Sequence, residues 1–181
     1  HCKYLETLYN SAIEAKVKIS ICSFERTAGQ ELLVDESKLR FKKMKVKQFF
    51  VENNVNATVA WGKLYSKDCF REIRYPKGKI HEDEFTTYKC LFRYEHVAIV
   101  EQPLYAYYIN PERIMNSKWN PRRLQWLDAY AERVESFKEH KMMDMYQWTL
   151  EQYVWGTFAI RERIIREQAE DVAKAYAPTL K

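Results

Sequence analysis

Apolar positions along the chain change their period several times, and each change marks an element. Tyr4, Leu5, Leu8, Tyr9, Ala12 and Ile13 recur at the spacing that aligns one face of a helix. Val17, Ile19 and Ile21 then alternate with Lys18, Ser20 and Cys22, which predicts a strand with one buried face. Val46, Phe49, Phe50 and Val51 predict a short helix that stops at Asn53-Asn54. The run from Ala57 to Tyr65 reads as extended, with Gly62 marking a bulge or a close approach of backbone. Tyr75-Pro76-Lys77-Gly78 is a turn signal, after which Phe85, Tyr88, Leu91 and Phe92 return to helical spacing. Val97 to Val100 has the wholly apolar character of a buried strand, and Pro103 to Ile109 predicts a second strand that opens on its proline.

The final third is helical. Asn120-Pro121 supplies an N-cap and a proline at the first helical position, followed by Leu124, Leu127, Tyr130, Val134 and Phe137 on one face. A further helix starts near Met142 and carries Tyr146, Leu150, Tyr153/Val154, Thr157/Phe158 and Ile164/Ile165 as its stripe. The expected architecture is α/β: a mixed sheet with flanking helices over residues 1–120, then a C-terminal helical hairpin over residues 121–181.

Composition narrows the class. The 181 residues, 46% of them hydrophobic and 30% charged, suffice for one ordinary domain with a helical appendage and exclude a disordered tail. Cys2, Cys22, Cys69 and Cys90 stand far apart, with no paired motif and no histidine at zinc-ligand spacing, so they read as reduced thiols of a cytoplasmic protein. No stretch approaches the length of a membrane span, and no signal-peptide pattern opens the chain. The net charge of +5 is local: Lys38, Arg40, Lys42, Lys43, Lys45 and Lys47 follow one another without an acid. Such a segment either attracts phosphates or an anionic membrane surface, or guards an edge strand against aggregation. Nucleic acid is an unsuitable partner, because the aromatics occupy apolar stripes and do not alternate with the lysines.

Chemistry-bearing motifs are few. The four glycines do not cluster, which removes phosphate-loop and dinucleotide fingerprints, and no serine-hydrolase elbow is present. One dense polar group stands out, His81-Glu82-Asp83-Glu84, at the start of a helix just after a turn. A carboxylate held there suits a general base. Acids in a helix's first turn are also ordinary decoration of the positive end of the dipole.

Longer segments carry a resemblance. Ala60-Trp61-Gly62-Lys63-Leu64-Tyr65-Ser66-Lys67 comes first, then Arg74 through Lys89 with His81-Glu82-Asp83-Glu84 inside it, then Pro103-Leu104-Tyr105 and Ile114-Met115-Asn116-Ser117. In that order they resemble the acceptor-side, C-terminal part of bacterial family-2 glycosyltransferases of the GT-A type, which build surface polysaccharides such as capsule. The opening Lys3-Tyr4-Leu5-Glu6-Thr7-Leu8-Tyr9 resembles the helix after that family's metal-binding DxD segment, so the chain is expected to begin within the domain. The resemblance covers residues 1–120.

What the resemblance implies is specific. Asp83 would be the base that takes the acceptor hydroxyl's proton in an inverting transfer, with Glu82 orienting it. Trp61, Lys63 and His81 would meet substrate. Many relatives place an arginine soon after the Pro-Leu-Tyr segment, where this chain has none, and Arg113 would substitute. The donor would be a nucleotide sugar, in the first place a UDP-sugar, and the acceptor a saccharide or lipid-linked saccharide. A divalent cation, Mg or Mn, is implied, but its DxD ligands are not in this chain, whose only early acids are Glu6 and Glu14. The piece alone is therefore expected to be inactive, to lie in the cytoplasm at the inner face of the membrane, and to self-associate through exposed apolar sheet edges. The alternative is a noncatalytic module that docks on an anionic membrane surface or a protein partner through segment 38–47 and the hairpin.

Overall fold

Helix α1 (Tyr4–Ala15) leads into strand β1 (Ile19–Thr27), followed by β2 (Phe41–Lys45), α2 (Val46–Glu52), α3 (Asn54–Thr58), β3 (Lys63–Tyr65), α4 (Glu82–Leu91), β4 (His96–Tyr108), α5 (Gln125–Glu139) and α6 (Met143–Arg166). The computed structural model describes residues 1–109 and 120–166. They divide into two compact units. Residues 1–75, with the chain from Thr86 through β4, form the first; residues 76–85, with the described residues from 120 on, form the second.

The first unit is a mixed sheet in the order β2-β4-β1-β3. β1 and β4 run parallel at its centre, and β3 and β2 pair antiparallel on the two edges. The sheet is α/β in kind, as expected, but its central strand is buried on both faces. Ile19, Ser20, Ile21 and Cys22 are all fully buried, so the alternation of apolar with small polar residues does not mark a solvent face. Ser20 is tolerated there because its Oγ lies 2.6 Å from the Oγ of Ser11 on α1, which itself donates to the Leu8 carbonyl. Leu8, Cys22, Val100 and Leu104 form the core between that helix and the sheet.

Several expectations change. The two strands predicted around Pro103 are one strand, β4, whose register against β1 slips between Cys22 and Phe24. Pro103 stands opposite Ser23 at that irregularity, where a missing N–H costs the ladder least. The extended run predicted from Ala57 contains the end of α3 and only a three-residue strand, β3. Gly62 does make the close approach: its φ is 72° and its carbonyl accepts from Cys22 N–H at 2.9 Å. On α1 the buried face is Leu8, Ser11 and Ala15, while Leu5, Tyr9 and Ile13 are exposed. All four cysteines are free, and only Cys2 is exposed.

The basic segment falls on edge strand β2, with Met44 buried and Lys42, Lys43 and Lys45 exposed. Lys42 pairs with Glu101 at 2.9 Å. This is the arrangement of an edge guarded by lysines. No helix among the described residues is long and apolar enough to cross a membrane.

The second unit is built on α5 and α6, which join at His140–Met142 with Lys141 in the left-handed region. The Asn120 side chain accepts from Arg122 N–H at 2.9 Å and starts a 3-10 turn, Pro121–Leu124, that runs into α5. Leu124, Leu127 and Ile164 pack with Trp126, Tyr153 and Ile160. The buried face of α6 includes Met145, Thr149 and Ile164, whereas Leu150, Val154, Phe158 and Ile165, expected inside, are exposed. Gly156 explains the shift. A Cβ there would lie 2.0 Å from Trp126, so the indole presses against α6 only because that position has no side chain.

Candidate active site

The turn before α4 is pinned to the helices of its own unit. Ile80 N–H donates to Gln125 Oε1 at 2.8 Å, Arg122 donates to the Gly78 carbonyl at 2.8 Å, and Lys79 pairs with Asp128 at 3.3 Å. Gly78 supplies the φ of 79° that the turn needs. His81 then adopts φ 58°, a conformation that a residue with a Cβ takes only when its surroundings impose it. The dense polar group is thus delivered on a fixed backbone.

Asp83 is half-buried at the mouth of α4. Its Oδ1 accepts from the main-chain N–H of Glu84 at 2.9 Å, an N–H that also reaches the His81 carbonyl at 3.0 Å. Burial, followed by the charges of Glu84 and Glu82, pushes the Asp83 carboxyl up to about 6. That is the range in which a carboxylate is still charged at neutral pH yet basic enough to accept a proton. The bond that orients Asp83 comes from the main chain. Glu82 is exposed, and its influence on Asp83 is electrostatic.

A residue that sequence reasoning missed anchors this turn. Arg133 on α5 is fully buried, and it donates to the Glu84 carbonyl at 2.7 Å and to the Glu84 carboxylate. Its guanidinium also lies 4.6 Å from the centre of the Tyr130 ring. The signal was available: an arginine beside Val134 in an otherwise apolar stripe needs a buried anion.

His81, half-buried, lines a cavity of about 260 Å³ with Arg123, Trp126, Gly156, Ile160 and Arg163. Burial lowers the imidazole's proton affinity and Arg123 adds to this, while Glu84 and Glu82 oppose it.

The other expected site residues belong to the first unit. Trp61 lies in the bend before β3, stacked on Tyr105 at 4.8 Å and edge-on to Phe24 at 4.8 Å. Lys63 is 7% exposed, and its ammonium turns inward to the carbonyls of Val59 and Trp61. It is not the solvated cation that a lysine on a strand suggests. Arg113 lies outside the described residues.

Among the described residues no cluster fits the implied Mg or Mn. Among the described residues one group of three potential ligand atoms converges, His1, Cys2 and Glu36. Its nitrogen, sulfur and oxygen donors differ from the oxygen set those hard cations take.

The described residues thus comprise an α/β sheet unit and a helical unit, the latter carrying a half-buried carboxylate on a pinned turn two residues after a histidine that lines a cationic cavity. The sequence matches no family model. It is similar to the glycosyltransferase GlyA of Streptococcus pneumoniae serotype 4, with 28% identity over 145 residues that take in 72% of this chain and 20% of that protein. The chain therefore spans about a fifth of the length of that relative.

Proposed function

We propose that this chain is the acceptor-side part of an inverting, GT-A-type glycosyltransferase with Asp83 as its general base. Two findings support the reading: the similarity to a glycosyltransferase, and the Asp83 carboxylate, half-buried at the helix mouth with one oxygen held by the Glu84 amide. The carboxylate is the single observation that carries the mechanism.

In the proposed step, Asp83 Oδ2 takes the proton of an acceptor hydroxyl as that oxygen attacks the anomeric carbon of a nucleotide sugar. The new glycosidic C–O bond forms on the face opposite the departing nucleoside diphosphate, whose C–O bond to the sugar breaks with its electron pair. The configuration inverts. Burial, then the charges of Glu84 and Glu82, keep the Asp83 proton affinity high, and the Glu84 amide fixes the direction of the carboxylate. The donor, a UDP-sugar in this reading, and its cation would be held by residues beyond this chain. Lys63 is a positioning residue that ties the Val59 and Trp61 carbonyls together. A role in surface polysaccharide synthesis at the inner face of the membrane follows from the same reading.

The test is transfer from a panel of UDP-sugars by the chain expressed with an upstream nucleotide-binding half. Asp83→Asn is expected to lower turnover by about 10²–10⁴-fold while the fold persists by circular dichroism. The parent's rate should rise with pH through about 6 as the carboxyl ionises. A folded Asp83→Asn enzyme with full turnover removes Asp83 from the role.

A further inference from the structure

The cavity beside His81 has a composition that speaks to what enters it. Of the described residues that wall it, Arg123 and Arg163 are cationic, His81 offers ring nitrogens for hydrogen bonds, and none is acidic. The rest of the wall, Trp126, Gly156, Ala159 and Ile160, is apolar. One side thus suits an anionic oxygen group and the other the face of a ring.

Two independent features indicate a cavity that is built. At Gly156 any side chain would collide with Trp126, which shapes the apolar wall. At His81 the left-handed backbone aims the imidazole from a conformation that is costly for a residue with a Cβ. His81 is also only two residues before Asp83 on the same pinned turn.

We propose that this cavity is an acceptor subsite, and that the acceptor it takes is a saccharide bearing a negative group, a phosphate or a carboxylate. The proposal rests on the transferase reading for the word acceptor. The preference for an anionic saccharide rests on the cavity alone.

The experiment measures binding to the full chain by calorimetry or ligand-observed NMR. The probes are glucose 6-phosphate, glucuronate, glucose and inorganic phosphate, with no catalysis required. At least one of the two anionic sugars is expected to bind about tenfold or more tighter than glucose, and tighter than inorganic phosphate. The comparison between them tells phosphate from carboxylate. The affinity should fall as salt rises.

Ala159→Glu, a change at an exposed helix position, and Arg163→Gln should each weaken the anionic sugar about fivefold or more, with unchanged Tm. Asp83→Asn should leave binding in place, which separates this test from that of the base: loss of the base assignment with retained binding would leave the anionic subsite standing. Glucose binding as tightly as its charged relatives would overturn the proposal. So would inorganic phosphate binding as tightly as the phosphorylated sugar, indifference to both cavity variants, or no binding of either anionic sugar.

Discussion

Asp83 is held in a state that costs the folded chain stability at neutral pH. Its carboxyl in the folded chain titrates at about 6, above its ordinary 3.8, chiefly because it is buried. A raised value means that the folded state binds the proton more tightly than the unfolded one. The corresponding stabilisation is complete below about pH 4 and is lost as pH rises through about 6. At neutral pH the native chain therefore keeps a partly desolvated charge. Asp83→Asn is expected to raise stability at pH 7 by about 1 kcal/mol once partial exposure is discounted, which for a chain of this size is roughly 3 °C in Tm. The gain should vanish at pH 4. Thermal melts of both proteins at the two pH values check this; an Asn variant that melts lower at pH 7 would mean that the bond from the Glu84 amide outweighs the burial. A variant both more stable and less active is the expected signature of a residue retained for its reactivity.

At the scale of elements, Gly156 decides how α6 meets Trp126. Helix propensity alone favours alanine there by about 1 kcal/mol. The added Cβ would fall 2.0 Å from an indole already packed at a tilt against Tyr130 with ring centres 3.9 Å apart, and overpacking of this kind costs about 1–3 kcal/mol. Gly156→Ala should therefore destabilise the chain in denaturant melts, and a second change, Trp126→Leu, should recover part of the loss. An Ala variant more stable than the parent would show that the indole swings aside freely. The same contact explains what was legible in the sequence. Periodicity located nearly every helix, and Asn120-Pro121 marked the start of α5 through its cap. Periodicity misplaced the buried face of α6, because it scores apolar side chains and Gly156 contributes by having none. It split β4 at Pro103, because a proline ends an isolated strand but is tolerated at a slip in register. It took Ser20 and Cys22 for a solvent face, because the Ser11 hydroxyl that satisfies Ser20 comes from a different element. At the site, the polar group His81 to Glu84 stood out through its turn, and the family resemblance singled out Asp83 within it. Arg133 and the cavity did not, because they depend on which helix lies beside the turn.

At the scale of the whole molecule, most of the exposed large apolar side chains among the described residues lie on helices, with Leu33 in a loop and Tyr108 on β4 among the exceptions. On α6, Leu150, Val154, Trp155, Phe158 and Ile165 are exposed, Trp155 to 71%. The double variant Trp155→Gln/Phe158→Gln should lower the binding of a hydrophobic dye and raise the soluble concentration, with a change in Tm of about 1 °C or less, since neither side chain supports the core. Unaltered dye binding would place the accessible apolar surface elsewhere.

The strands tell the opposite story. One margin of the sheet is lined with ammonium groups, and the other is only three residues long. Such margins discourage a foreign strand from zipping on. This domain can therefore be carried inside a much longer polypeptide, crowded by other folding segments, with little risk that its strands are captured by a neighbour's during synthesis.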